Sequence, residues 1–228
     1  MIKLQPVGYE ALIQKYNIET IPHWHYSFIS IEDHTQKVEQ EGSRVREIYP
    51  KRYGIDDKTT AHLEFALKYD GVNLTLLRQI FQQMEQGELV EYIISKPTGK
   101  YARRLWFFYE FLMGIELPIE DLKQGNYVDL LERDRYYTIP NPQSIKRQRV
   151  RDNLLGNSDF CPIVRKTEKL KAYEALNLSQ KSKDIVLKYP HRLLKRALSY
   201  LYTKETKSSF EIEQVKLSIL NQCLQFRL

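Results

Sequence analysis

The spacing of apolar positions predicts two helices in the first half of the chain. The first covers residues 73–84, where apolar residues recur every three or four positions. Asn73 can cap its N-terminus and Gly87 can end it. The second covers residues 100–113, is apolar around most of its circumference and can end at Gly114. Because such a helix is normally packed on several sides, we expect it at the centre of the fold.

A third helix is predicted in the last quarter of the chain. Pro190 suits its first turn, and the residues that follow place five apolar side chains on one stripe: Leu193, Leu194, Ala197, Leu198 and Leu201. Residues 215–228 are also rich in apolar side chains. Since an exposed apolar patch usually indicates an interaction site, we expect self-association through this tail unless it docks on the rest of the chain.

Aromatic and β-branched residues indicate weaker candidates for strands. They occur at Tyr26–Ile31, at Tyr127–Leu131 and at Arg135–Ile139. The residues Glu132–Asp134 suit a turn, so the last two segments can form a hairpin. The predicted fold class is therefore mainly α, a helical bundle that carries a short β-hairpin if these two segments pair.

An internal boundary is predicted near Pro140-Asn141-Pro142, which interrupts any regular element. A basic segment follows it directly. The expected organisation is a helical N-terminal region at 1–140, followed by the basic segment and C-terminal helices at 141–228.

Composition bounds the class of protein. The chain has 228 residues, of which 42% are hydrophobic, and this favours a folded domain with a real core over disorder. Its two cysteines, Cys161 and Cys223, are too far apart for a Cys-x-x-Cys site, as is usual in a reducing compartment. No apolar run approaches the length of about 20 residues that spans a bilayer. We therefore expect a cytoplasmic protein that does not bind membranes.

The segment Lys204-Glu-Thr-Lys-Ser-Ser-Phe-Glu-Ile-Glu213 contains a serine four residues before a glutamate, Ser209 and Glu213. This resembles the motif Ser/Thr-x-x-x-Glu-Gly/Asn of the inhibitory helix in Fic-family (filamentation induced by cAMP) adenylyltransferases. Gln214 departs from the sixth position of that motif. Four upstream stretches, which begin at Leu63, Pro97, Arg149 and Ala197, resemble the region ahead of the catalytic domain in a bacterial Fic subgroup. The resemblance covers residues 1 to about 213.

The catalytic loop of the Fic family has no counterpart in this sequence. That loop reads His-Pro-Phe-x-x-Gly-Asn-Gly-Arg-x-x-Arg, and the chain contains no His-Pro pair. The resemblance therefore implies a truncated, antitoxin-like regulatory region that ends where the catalytic half would begin. We expect no AMPylation and no cofactor on this chain alone, since ATP and Mg²⁺ would bind to a catalytic domain supplied in cis or in trans.

The resemblance also implies a role for each motif residue. In the family, the glutamate pairs with the second arginine of the catalytic loop and keeps that arginine from the γ-phosphate of ATP. Here Glu213 would fill this role, while Ser209, which lies on the same face of a helix, would position it. A carboxylate suits this task because it can bind a guanidinium through two parallel hydrogen bonds. The alternative is an exposed glutamate on a solvated helix.

A competing hypothesis is a nucleic-acid-binding module. The basic run at residues 146–151 would contact phosphates through Lys146, Arg147, Arg149 and Arg151. The net charge of +6 permits such binding, but no specific nucleic-acid motif accompanies it. Binding is therefore expected to be weak, and the alternative is that these side chains form ordinary salt bridges.

The pair His23 and His25 could present two imidazoles on one side of a strand, because residues i and i+2 point the same way. The sequence indicates no third ligand near them. We therefore predict no metal site and assign these histidines to packing and hydrogen bonding.

Overall fold

The computed structural model describes residues 4–32 and 35–212, with only the backbone course given for 209–212. The chain divides into two compact units, Met1–Lys166 and Thr167–Leu228. The prediction of a mainly α-helical bundle is wrong. Among these described residues, helices hold 45% and seven strands in two mixed sheets hold a further 15%, so the fold is an α/β mix.

The first sheet of unit 1 has four strands: β1 (Leu4–Val7), β2 (His25–Ser30), β3 (Lys37–Glu41) and β4 (Arg44–Tyr49). Their order is β1-β2-β4-β3. Strand β2 runs antiparallel to β1 and parallel to β4, and β3 and β4 form a hairpin. The strand predicted at Tyr26–Ile31 is confirmed by β2. The other three strands of this sheet were not predicted. Strand β3, for example, is exposed at every position and shows no apolar alternation, so its sequence gives no strand signal.

The helices of unit 1 surround a central one. Helix α1 (Tyr9–Tyr16) follows β1, and α2 (Thr59–Phe65) continues into a π-helical turn at Ala66–Asp70. Next come α3 (Leu74–Gln83), α4 (Gln86–Ser95) and α5 (Lys100–Met113). The central position predicted for α5 is confirmed, since eight consecutive residues from Ala102 to Tyr109 are buried.

The caps predicted for these helices are partly confirmed. The Asn73 side chain accepts a hydrogen bond from the Leu76 N–H, and Gly114 adopts the left-handed conformation that ends α5. Gly87 does not end α3, because it lies in the first turn of α4. Helix α3 ends instead at Met84, whose backbone turns to an extended conformation and whose side chain is buried in the core.

The second sheet of unit 1 is small. It consists of β5 (Val128–Asp129), β6 (Gln143–Ile145) and β7 (Val150–Asp152), in the order β5-β7-β6. Strand β7 is parallel to β5 and antiparallel to β6. Because β6 and β7 pair within unit 1, the boundary predicted between 140 and 141 falls inside this unit, and the structure divides the chain after Lys166.

The hairpin predicted around Glu132–Asp134 is wrong. The Arg135 and Tyr136 N–H groups both donate to the Glu132 carbonyl, which makes a helical turn rather than a hairpin. Tyr136 then pairs with Arg165 through an isolated bridge. Its buried hydroxyl accepts a hydrogen bond from the Val72 N–H, and this contact fixes the turn.

Unit 2 is helical over its described residues. It contains α6 (Glu168–Ala175), α7 (Leu178–Val186) and α8 (His191–Ile212). The helix predicted to begin at Pro190 is confirmed by α8, whose first turn bonds to the Pro190 carbonyl. In the ranges 4–32 and 35–212, no helix combines the length and apolar character needed to cross a membrane.

Candidate functional site

The inhibitory-like motif lies at the end of the described chain. The backbone of Ser209 belongs to α8, near the end of this 22-residue helix. The Ser209 side chain, the whole of Glu213 and the apolar tail at 215–228 lie outside the described residues. The helical context predicted for Ser209 is therefore present, while the role of Glu213 stays a prediction.

The arginines of the basic run are engaged within unit 1. Arg147 is paired with Glu110 and Asp121, and its guanidinium lies 5.1 Å from the centre of the Trp106 ring. Burial alone would lower the pKa of Arg147, but the bonds to these two carboxylates raise it. A guanidinium held in this way fastens the segment after α5 to the core.

The neighbouring positions differ in how far they remain accessible. Arg149 donates to the Gly125 carbonyl at 2.6 Å, and Arg151 is paired with Asp129. Lys146 is exposed and has no ion-pair partner among the residues that the structure describes. Of the four proposed phosphate contacts, only Lys146 is thus uncommitted, and this weakens the nucleic-acid hypothesis.

The structure reveals a buried polar cluster that centres on Asp70. This side chain is fully buried and accepts hydrogen bonds from the Tyr9 N–H at 3.1 Å, from the Ser27 hydroxyl at 2.5 Å and from His25 Nδ1 at 3.1 Å. The other ring nitrogen of His25 lies 2.8 Å from a carboxylate oxygen of Glu47. We call these five residues the Asp70 cluster.

The Asp70 cluster holds His25 in its charged form. Burial alone would lower the pKa of His25, but the hydrogen bonds and negative charges of Asp70 and Glu47 raise it to about 9. The pKa of Glu47 is shifted in the opposite direction. Burial would raise its pKa, but hydrogen bonds from His25, Tyr49 and Gln36 lower it. The cluster is therefore an ion triad of one cation between two anions.

His23 lies beside the cluster and is neutral. Its Nε2 donates to the Asp70 carbonyl at 2.9 Å, and its Nδ1 accepts from the Asn73 amide at 3.1 Å. Burial lowers the pKa of His23, as this pattern requires. Because both nitrogens of His23 and of His25 are already bonded, neither ring offers a free lone pair as a general base or a metal ligand.

Metal ligation receives no support from the described part of the chain. Across those residues, no group of three or more His, Cys, Asp or Glu side chains is placed to hold a metal ion. The one sequence signal for the Asp70 cluster was the alternation His23-Trp24-His25 in a strand. It identified His25, and His23 beside the cluster, but not the two carboxylates that bind His25.

The π-helical turn is what brings Asp70 to the sheet. A π-turn holds one more residue than an α-helical turn, and such turns are frequent at functional or specialised positions. Gly8 makes room for the carboxylate, since a Cβ atom on Gly8 would lie 2.1 Å from Asp70 Oδ2. The buried Asp70 carboxylate thus connects the π-helical turn to strand β2 and to the start of helix α1.

Replacing Gly8 with alanine is expected to lower the free energy of unfolding by about 2 kcal/mol or more. The backbone at Gly8 has φ 67°, and the new methyl group would collide with Asp70. Gly42→Ala is a matched control, because its φ is 62° and no atom lies within 4 Å of the added Cβ. It should cost only about 1–2 kcal/mol. Equal losses in urea unfolding would show that Gly8 and Asp70 are not in close contact.

The chain was compared with protein-family models, with curated proteins and with solved structures, and none of them matches it. The resemblance to the Fic family therefore depends on the residues quoted for it. The structure adds the course of α8 and the surface of unit 2.

Proposed function

We propose that this chain is the regulatory part of a Fic-type protein adenylyltransferase. In this proposal α8 carries Ser209, and with it Glu213, which directly follows Ile212 in the sequence, to a catalytic domain in the same polypeptide or in a separate one. There Glu213 pairs with an arginine that the γ-phosphate of ATP needs. The role is inhibitory, and it requires no catalytic residue on the regulatory part itself.

The observation that carries the proposal is the exposed apolar surface of unit 2. None of the described side chains from 167 to 208 is buried. Many large apolar side chains there are exposed: Leu170, Tyr173, Leu176, Leu178, Ile185, Val186, Leu187, Tyr189, Leu193, Leu198, Tyr200, Leu201 and Tyr202. Helices normally bury one face, and exposure on this scale is typical of a segment that packs on another domain.

The distribution of charge supports the same view. Residues 167–208 contain ten Lys and Arg and four Asp and Glu, which gives +6, the net charge of the whole chain. Residues 1–166 contain 23 of each kind and are neutral. A partner of unit 2 should therefore combine apolar patches with an excess of carboxylates, because complementary charge speeds association and fixes its orientation. A nucleic acid would satisfy the charge but not the apolar side chains.

The proposal is tested with a Fic catalytic domain of the same subgroup, expressed without its own regulatory region. Adding the chain is expected to suppress the transfer of labelled AMP from ATP to protein. Glu213→Gly should relieve the inhibition while the chain still binds, since a single substitution to glycine costs only about 1 kcal/mol even inside a helix. Ser209→Ala should have a smaller effect, because a positioning residue does not contact the arginine.

Glu211→Gly is the matched control, because it removes a glutamate two residues away from the same segment. It should inhibit as well as the unmodified chain. The proposal fails if the chain binds the catalytic domain but leaves AMP transfer unchanged. It also fails if Glu213→Gly still inhibits, or if Glu211→Gly loses inhibition to the same extent.

A further inference from the structure

Unit 1 contains a polar cleft that is lined by His23, the neighbour of the Asp70 cluster. Its volume is about 290 Å³, and its polar lining comes from His23, Trp24, Asn73, Thr75 and Arg165. No Asp or Glu is present among the described residues that line it. A cleft of this size lies at the small end of the range for ligand sites, so it suits a small molecule rather than a polymer.

Arg165 is the cation of this cleft, and it has an unusual environment. Its guanidinium carbon lies 3.5 Å from the centre of the Trp24 ring, so one face of the group is stacked on the indole. In the part of the chain that the structure describes, its side chain has no carboxylate partner and no hydrogen-bond acceptor. Its planar donors are therefore available along the edge of the guanidinium, where an anion would bind.

Every other arginine of unit 1 with a half-buried or buried side chain donates to at least one carbonyl or carboxylate group, and three of them show this clearly. Arg103 donates to two carbonyl groups, Arg104 donates to Asp129 O and to Glu132, and Arg147 bonds to two carboxylates. Burial lowers the pKa of Arg165, and the nearby charge of Arg135 lowers it further, against an opposing effect of Tyr136. An anion in the cleft would compensate both the lost hydration and this repulsion.

The neighbours of Arg165 define what can bind. Both nitrogens of His23 are already bonded, and the Asn73 side chain is used by His23 and by the Leu76 N–H. His23 therefore offers no further donor, while the Asn73 amide keeps one of its two N–H groups. The Thr75 hydroxyl lines the same cleft and is exposed, so it can donate a second hydrogen bond.

We propose that this cleft binds a small oxyanion, the carboxylate or phosphate group of a free metabolite, with Arg165 as the principal ligand. The guanidinium would bind two oxygens of the anion in its plane while Trp24 holds it from one face. Thr75 would donate to a remaining oxygen. This site is distinct from the motif on α8 and does not depend on the proposed regulatory function.

The test uses the two tryptophans of the chain as separate reporters. The ¹⁵N-labelled protein gives two indole N–H signals, which Trp24→Phe assigns. The protein is titrated with phosphate and, separately, with succinate, each against chloride at constant ionic strength. We expect the Trp24 signal to shift in a saturable way with at least one of them, while the signal of Trp106, which is buried in the core, stays in place.

Three variants decide whether Arg165 is responsible. Arg165→Gln should weaken binding at least about tenfold, and Lys146→Gln, which removes an exposed charge elsewhere, should leave it unchanged. Arg165→Lys keeps the charge but loses the planar fork, and it should also bind more weakly; it decides the matter if Arg165→Gln does not fold. The proposal is overturned if neither anion gives a saturable shift or if both indole signals move together. It is equally overturned if Arg165→Gln or Arg165→Lys binds as well as the original.

Discussion

Asp70→Asn is expected to lower the free energy of unfolding of unit 1 by about 3–5 kcal/mol. The substitution preserves the shape of the side chain but removes one of the two anions around the charged His25. The remaining charge is then buried with a single partner, and removing one member of a buried ion pair is among the most destabilising changes in a protein. The amide would also present an N–H group where three donors now converge.

Urea unfolding followed by tryptophan fluorescence measures this loss, because both tryptophans lie in unit 1. Asp121→Asn serves as the control. It removes the same charge from an ion pair with Arg147, but the Asp121 side chain is 67% exposed. Its loss should be within about 1 kcal/mol. If both variants lose the same stability, the carboxylate of Asp70 is not held in a buried network.

The free energy of unfolding is also expected to fall as pH rises from 6.5 to 9. The pKa of His25 is about 9 in the folded protein, against an ordinary value of 6.5. A raised histidine pKa gives stability that is fully present below 6.5 and is lost as pH rises through 9. We expect a loss of about 2–3 kcal/mol, somewhat less than the whole shift implies, because water screens the partly exposed Glu47.

His25→Gln should remove most of this pH dependence, and unfolding midpoints measured at several pH values between 6 and 9 test it. His23 and His62 do not produce the same effect, because burial lowers their pKa values and so costs stability below pH 6.5 instead. His191→Gln, on the exposed surface of α8, should keep the pH dependence of the original chain. A profile for His25→Gln that parallels the original would show that another group titrates in this range.

Local signals explain which elements could be predicted from the sequence. Helices α3, α5 and α8 can be predicted because apolar spacing occurs together with a residue that suits a helix end: Asn73, Gly114 or Pro190. Strand β3 is exposed throughout, and β4 mixes charged and apolar residues without a buried face at most positions. The place of β4 in the sheet depends on its pairing with β2, which is distant in the sequence, and no local pattern encodes that pairing.

The polar clusters were hidden for a similar reason. Asp70 contacts Tyr9, 61 residues away, and His25, 45 residues away. Arg147 likewise reaches Glu110 across 37 residues. The basic run that suggested an open surface thus contains two arginines held in ion pairs, Arg147 and Arg151, and one, Arg149, bonded to a backbone carbonyl. Sequence reasoning identifies charged groups but cannot tell which of them will meet.

The π-helical turn makes the length of this segment as important as its composition. Removing one residue between Ala66 and Asp70 would restore the α-helical period, and each residue of an α-helix is rotated by about 100° from the last. Asp70 would then be directed away from β2, although every side chain of the cluster would still be present in the sequence. Lys68 is exposed, so another residue can replace it, but its position cannot be deleted. Deletions in this turn should therefore be much rarer among functional variants than substitutions, and a count of residues between Thr59 and Gly71 becomes a criterion for recognising chains built in the same way.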